Sequence, residues 1–246
     1  MKIQKLLAVG LALLAFSCSK DEEPSLKDQK LSLSGEEQVI VAPSALLTSQ
    51  DENAQTTSSY IALANGLSSY FSYFNIPSGA SKSKTKITAS NGRVASTGDF
   101  YVYTWTDAST GYSIAYQISE ESDSYVFEFF FMMPGSSDWL KYMHMEEKKD
   151  RSSGSMKVYD IFNSDASVVI LECNWSRAGN IFNFTMNMFG DGKIVLTYNE
   201  STKAGSVEFY SSDVIYYSST WDAAGNGTWA YYDEEGNVAD SGTWTI

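Results

Sequence analysis

The chain reads as a mainly β protein: an antiparallel up-and-down meander of about 12 strands, as a barrel or a half-open sheet, with one N-terminal amphipathic helix. Three observations predict it. From Ser81 onward apolar residues recur with period two in short runs. Turn signals separate these runs at hairpin distances, from Ser90-Asn91-Gly92 to Glu234-Glu235-Gly236. After the first third, no helical pattern remains to carry a parallel crossover. The composition agrees, because 16 Tyr, 13 Phe and 6 Trp against four prolines suit pleated, half-buried strands.

The first element is a leader. Lys2 and Lys5 precede an eleven-residue apolar run, Leu6 to Phe16, too short for the roughly 20 residues that span a bilayer. Ser17 and Cys18 follow, and then charge: Ser19-Lys20-Asp21-Glu22-Glu23. This is the order of a secretory signal peptide over residues 1–17. The cysteine resembles the lipobox cysteine of bacterial lipoproteins, although Ala15 and Phe16 stand where that pattern has leucine and a small residue. The acidic stretch after it is similar to the tether of Bacteroidota surface lipoproteins. The resemblance covers about the first 25 residues. It implies acylation of Cys18, attachment to the membrane through it, and a place in the cell envelope, as an outer-membrane lipoprotein at the cell surface. Two or more acyl chains hold stably at about 0.8 kcal/mol per buried CH₂. Without residues 1–17 the chain carries 15 Lys+Arg against 30 Asp+Glu, a net −15.

Residues 18–44 are polar and poor in aromatics, and are expected to form a flexible tether reaching roughly 25–30 Å as a coil. A single β-rich domain then spans 45–246. Its helix is expected at about 49–74, opened by a capping box of Ser49 and Glu52, with Ala54, Ser58, Ile61, Ala64, Leu67, Phe71 and Phe74 on its apolar face. Strands follow, from Lys84–Ala89 and Gly98–Thr106 to Gly227–Tyr232 and Asp240–Ile246. Their faces differ. In Asn180–Phe189, Phe182, Phe184, Met186 and Met188 oppose Asn183, Thr185 and Asn187, a dry side and a wet side. Tyr125–Met133 is apolar on both sides, with Phe127, Phe129 and Phe131 on one and Val126, Phe130 and Met132 on the other, interrupted by Glu128. Such a strand sits in the middle of the fold. It lines an apolar pocket or belongs to a core filled by the helix.

Side-chain chemistry excludes several activities. His144 is the single histidine, so histidine metal clusters are excluded by counting, and its strand setting names no nucleophile. Cys173 shares a face with Val169, Leu171 and Trp175 and reads as a buried thiol. Glu120-Glu121, Glu146-Glu147 and Asp233-Glu234-Glu235 fall at strand ends and turns. A calcium site from Asp222, Asn226 and Asp233 lacks EF-hand spacing. No glycine pattern opens a helix as phosphate-binding loops require. The net charge of −13 and the absence of a basic cluster argue against nucleic acid. At the C-terminus, Gly227-Thr228-Trp229 recurs as Gly242-Thr243-Trp244 around Tyr231 and Tyr232. This resembles one unit of the aromatic hairpin repeats of choline-binding cell-wall modules, which would make Trp229, Tyr231 and Trp244 ligand contacts. A core-covering hairpin needs the same residues.

The expectation is therefore a non-catalytic envelope lipoprotein without a cofactor, binding an apolar ligand near Phe127, Phe129 and Phe131, or a protein partner. At the level of fold, helix followed by meander is similar to lipocalin-like and open-barrel lipid carriers. The alternatives are a structural or assembly subunit of an outer-membrane surface complex, and a carbohydrate-binding module.

Overall fold

A computed structural model of the chain describes residues 25–31, 40–67, 70, 76–90, 99–163, 167–190 and 192–246. Thirteen strands form one antiparallel sheet: β1 (Ser81–Ser83), β2 (Phe100–Thr106), β3 (Ser113–Glu120), β4 (Ser124–Met132), β5 (Leu140–Lys148), β6 (Ser153–Tyr159), β7 (Val169–Ala178), β8 (Ile181–Met188), β9 (Gly192–Asn199), β10 (Gly205–Ser211), β11 (Val214–Trp221), β12 (Gly227–Tyr232) and β13 (Val238–Trp244). Each strand pairs with its neighbour in sequence, and the order runs from β1 to β13 without crossover. The two end strands do not meet, so the meander is open. It is the half-open sheet of the two forms expected.

Local chemistry makes each reversal. Between β10 and β11, Ser212 and Asp213 both take positive φ (50° and 66°), the two-residue geometry that matches strand twist. The next two hairpins share an Asp-x-x-Gly-Asn turn. Asp222 Oδ1 accepts from Ala224 and Asn226 N–H, each at 2.9 Å, and Gly225 takes φ +98°. Asp233 Oδ1 accepts from Glu235 and Asn237 N–H at 3.1 and 2.8 Å, with Gly236 at φ +82°.

Register explains the recurring Gly-Thr-Trp. Trp175 faces Gly154, Trp221 faces Gly205 and Gly227, Trp244 faces Gly227, and Trp229 faces Gly242. Each indole lies across the bare backbone of its glycine partner, where a Cβ would collide with the ring. A large ring set against a glycine on the next strand fixes register by shape.

The sheet's dry face carries Phe127, Phe129, Met143, Met156, Cys173, Phe184, Leu196 and Val207, all buried. A one-layer sheet needs something to cover such a face. The chain's own N-terminal portion does so through Leu26, Leu31, Ile40, Leu46, Ile61 and Leu67. Of this portion, α1 (Ser44–Leu47) and α2 (Glu52–Asn65) are helical. Burying a side chain such as Ile61 stabilises by about 1.5–3 kcal/mol. Polar contacts seat the cover. Thr57 Oγ1, fully buried, lies 2.8–2.9 Å from Asn53 O, Tyr217 Oη and Ser219 Oγ. Asn65 brackets Ile40, accepting from its N–H at 2.8 Å and donating to its carbonyl at 2.9 Å. Tyr198 Oη donates to Val41 O at 2.8 Å.

Three expectations change. The helix runs over Glu52–Asn65 rather than 49–74, and the later part, with Phe71 and Phe74, falls outside the described residues. Its N-cap is Asp51, whose Oδ1 accepts from Asn53 and Ala54 N–H at 2.9 and 3.0 Å, while Ser49 Oγ accepts from Asp51 N–H. A carboxylate two residues nearer the helix takes the first-turn amides better than the serine can. Second, Leu26, Leu31, Ile40 and Ala42, read as tether, belong to the core. Third, residues 84–90 are not a strand. They cross the outer face of the sheet, as described below.

Gly227→Ala tests the indole-on-glycine arrangement. Its Cβ would overlap the Trp244 ring and Thr220 O, which cannot both move. Urea unfolding followed by tryptophan emission is expected to show a loss of about 3 kcal/mol. Gly79→Ala, with nothing within 4 Å of its Cβ, is expected within about 0.5 kcal/mol of wild type.

Candidate functional site

Two groupings of side chains stand out, one buried and charged, one partly exposed and aromatic. The first lies on the outer face of β3–β5. Gln117, Glu128 and His144 are cross-strand neighbours. Glu128 is 4% exposed although it is a carboxylate. Its Oε2 accepts from Gln117 Nε2 at 2.8 Å, and its Oε1 takes Lys141 Nζ at 2.5 Å and His144 Nδ1 at 3.3 Å. Gln117 Oε1 in turn accepts the Ile87 N–H at 2.9 Å. Residues 84–90 thus form a strap over the network, with Ala89 packed beside Ala115 and Phe130, and Ser90 N–H donating to Trp139 O. The polar row continues by register through Lys157, Glu172, Asn187 and Lys193, and Lys157 pairs with Glu172 at 3.5 Å.

Burial alone would raise the Glu128 carboxyl. The hydrogen bond with His144 and the charge and hydrogen bond of Lys141 outweigh it and hold the pKa at about 2. A carboxylate so stabilised is a poor proton acceptor near neutrality and no acid at all. What it can do is pin Lys141 and, through Gln117, the strap. The sequence signal was present, since Gln117 and Glu128 each interrupt an apolar run.

The second grouping lies on the dry side of β10–β12, where α2 ends. Tyr60 stacks on Phe209 (centroids 5.0 Å, 21°) and lies 5.6 Å from Tyr217. Tyr217 meets Tyr231 at 5.0 Å, and Tyr231 meets Trp229 at 5.5 Å and Tyr216 at 5.8 Å. Tyr217 is sealed, Tyr216 is 49% exposed, and the other four rings are half-buried. On β13, Asp240 is the register partner of Tyr231.

The structure separates the aromatic residues singled out from sequence. Phe127 and Phe129 are 1% exposed and fill the core, and Phe131 is half-buried with its edges against Phe129, Tyr112 and Tyr142. None of these three lines the nearby groove of about 700 Å³, whose walls include Thr104, Trp105, Met132 and Trp139. Trp244 is buried on Gly227 and donates its indole N–H to Gly225 O at 2.7 Å. Trp229 and Tyr231 come together, and Tyr60, Phe209 and Tyr216 join them from elements that sequence reading did not connect.

Cys18 lies outside the described residues. Cys173 is fully buried between Met156 and Met186, and burial pushes its thiol far up from the ordinary range. Asp222 and Asp233 are spent on their turns, and no group of three His, Cys, Asp or Glu among the described residues could hold a metal ion. No described helix is long and apolar enough to cross a membrane. No family model matches the chain, and no curated protein matches it.

Because Glu128 sits at about 2 when folded against an ordinary 4.5, its contribution is present above pH 4.5 and is lost as pH falls towards 2. Glu128→Gln is expected to remove a few kcal/mol at pH 7, because the ion pair with Lys141 is lost, and to flatten the fall in stability between pH 5 and 2. Denaturant titrations of both proteins across that range measure it.

Proposed function

We propose that the chain is a lipid-anchored cell-envelope protein, held through Cys18, whose β domain has a non-catalytic binding role, with a protein partner as the occupant. The observation that carries this reading is where the sheet's free surface lies. The dry face that a carrier would offer to an apolar ligand is filled by Leu26, Leu31, Ile40, Leu46 and Ile61. Among the described residues, none pairs with the outer side of the edge strand β13, and the aromatic row beside it is partly exposed. A net charge of −15 after removal of the leader supports a domain held away from an anionic lipid surface.

A structural subunit of a surface complex is the second reading, and the edges β1 and β13, unpaired among the described residues, favour it, since free edges recruit strands. The groove beside Trp105, Met132 and Trp139 is a place for an apolar ligand.

Labelling with an alkyne fatty acid, combined with protease shaving of intact cells, tests the anchoring. Label on wild type, none on Cys18→Ala, and loss of the protein from shaved cells are expected. An unlabelled wild-type chain contradicts the reading. A labelled chain protected from protease keeps the anchor but moves the domain inside the envelope.

A further inference from the structure

The distribution of charge along the sheet is one-sided. Every Lys and Arg lies at or before residue 203, and residues 204–246 contain no cation and no histidine against seven Asp and Glu. That stretch also carries nine aromatic residues. Elsewhere the sheet supplies cations to its own rings. Among the described residues, seven Lys or Arg groups lie 4.2–5.9 Å from an aromatic ring centre, from Lys82 over Tyr103 to Lys203 over Tyr198. All seven rings belong to β2–β10, and those of β11–β13 have no such partner among them. The faces of aromatic rings attract cations, and a carboxylate nearby adds its own charge attraction. Here Asp240 stands opposite Tyr231 and next to the Trp229–Gly242 pair.

The same end of the sheet presents a free edge. β13 is seven residues long, with Val238 57% exposed, and its far side pairs with no strand among the described residues. The Ser241 N–H donates to the neighbouring Asp240 Oδ1, at 2.8 Å. A cation that draws the Asp240 carboxylate towards itself releases this N–H for pairing. The opposite edge differs: β1 has three residues and carries Lys82, which would repel a basic segment.

We propose that β13 and the aromatic row take a Lys- or Arg-bearing extended segment of a partner protein as a fourteenth strand. Its backbone pairs with Val238–Trp244, and cations at alternate positions reach Asp240, Trp229 and Tyr231, because alternate side chains of a strand share a face. This rests on the binding role proposed above and names the chemistry of its partner.

The test uses the full chain carrying Cys18→Ala and two fluorescein-labelled heptapeptides, Thr-Lys-Val-Lys-Thr-Lys-Val and its counterpart with Glu for Lys. Fluorescence anisotropy is expected to show binding of the Lys peptide alone, weakened by salt. Asp240→Asn and Tyr231→Leu are each expected to weaken it about fivefold. Ser241→Pro, which blocks the edge, is expected to abolish it with the circular dichroism unchanged. Tyr231 is half-buried and leucine keeps its place apolar, and Asp240→Asn is isosteric, so those two variants keep the test valid if the proline impairs folding. Equal binding of both peptides, no binding, or binding indifferent to all three substitutions overturns the proposal. So does a dimer in sedimentation that Ser241→Pro dissociates, since a second copy would then fill the edge. Failure of Cys18 labelling with peptide binding intact sinks the anchor alone; labelling without peptide binding sinks this inference alone.

Discussion

A single-layer sheet with one apolar face cannot stand in water unless something covers that face, and this constraint organises the whole molecule. Closing a barrel would hide the face by curvature. Here β1 and β13 stay apart, so the cover must come from elsewhere in the chain. Residues 26–31 and 40–67 supply it. The polar contacts that seat them, Thr57 with Tyr217 and Ser219, and Asn65 with Ile40, join segments 25 to 162 residues apart. Their role is to fix where the helix lies, since burial alone is indifferent to small sliding. The long strand order is itself local: every pairing joins sequence neighbours, through a short connection everywhere except between β1 and β2, which residues 84–99 link. The cover is the part that must be brought from a distance.

Strand existence and order were legible because two signals coincided, period-two apolarity and turn residues with a mechanism. Asp222 and Asp233 look like ligands when read as isolated carboxylates. The structure shows each accepting the amides of its own turn, which is why they recur eleven positions apart with Gly and Asn at the same offsets. Gly-Thr-Trp was likewise visible as a repeat, but its meaning was not. Trp244 lies across Gly227 and Trp229 across Gly242, so the motif marks register. The repeat that suggested ligand contacts is largely an account of how β11–β13 pack, and Trp229 and Tyr231 alone keep a partly open surface.

What could not be read from sequence was pairing at a distance. Leu26, Leu31 and Ile40 sit in polar surroundings and look like tether, because an isolated apolar residue gives no period to measure. Residues 84–90 alternate as a strand does, yet they cross the sheet as a strap, since their apolar side chains meet Ala115 and Phe130 while Ile87 N–H meets Gln117. Glu128 marked the place. A carboxylate in the middle of an apolar strand costs several kcal/mol unless paired, and that cost was a reason to look for partners on the neighbouring strands. Its company of Gln117, Lys141 and His144 depends on a register no single strand reveals, and the same holds for the aromatic row that gathers Tyr60 from α2 with rings from three strands.

The central claim is that the N-terminal segments are an integral layer of the fold, and native-state hydrogen exchange of the full chain tests it most directly. The account predicts that the amides of Ile40 and of Gln55–Asn65 open with free energies within about 1 kcal/mol of those in β7–β9, as one cooperative unit. Exchange of those amides near the rate of unstructured peptide, with β7–β9 still protected, would contradict it.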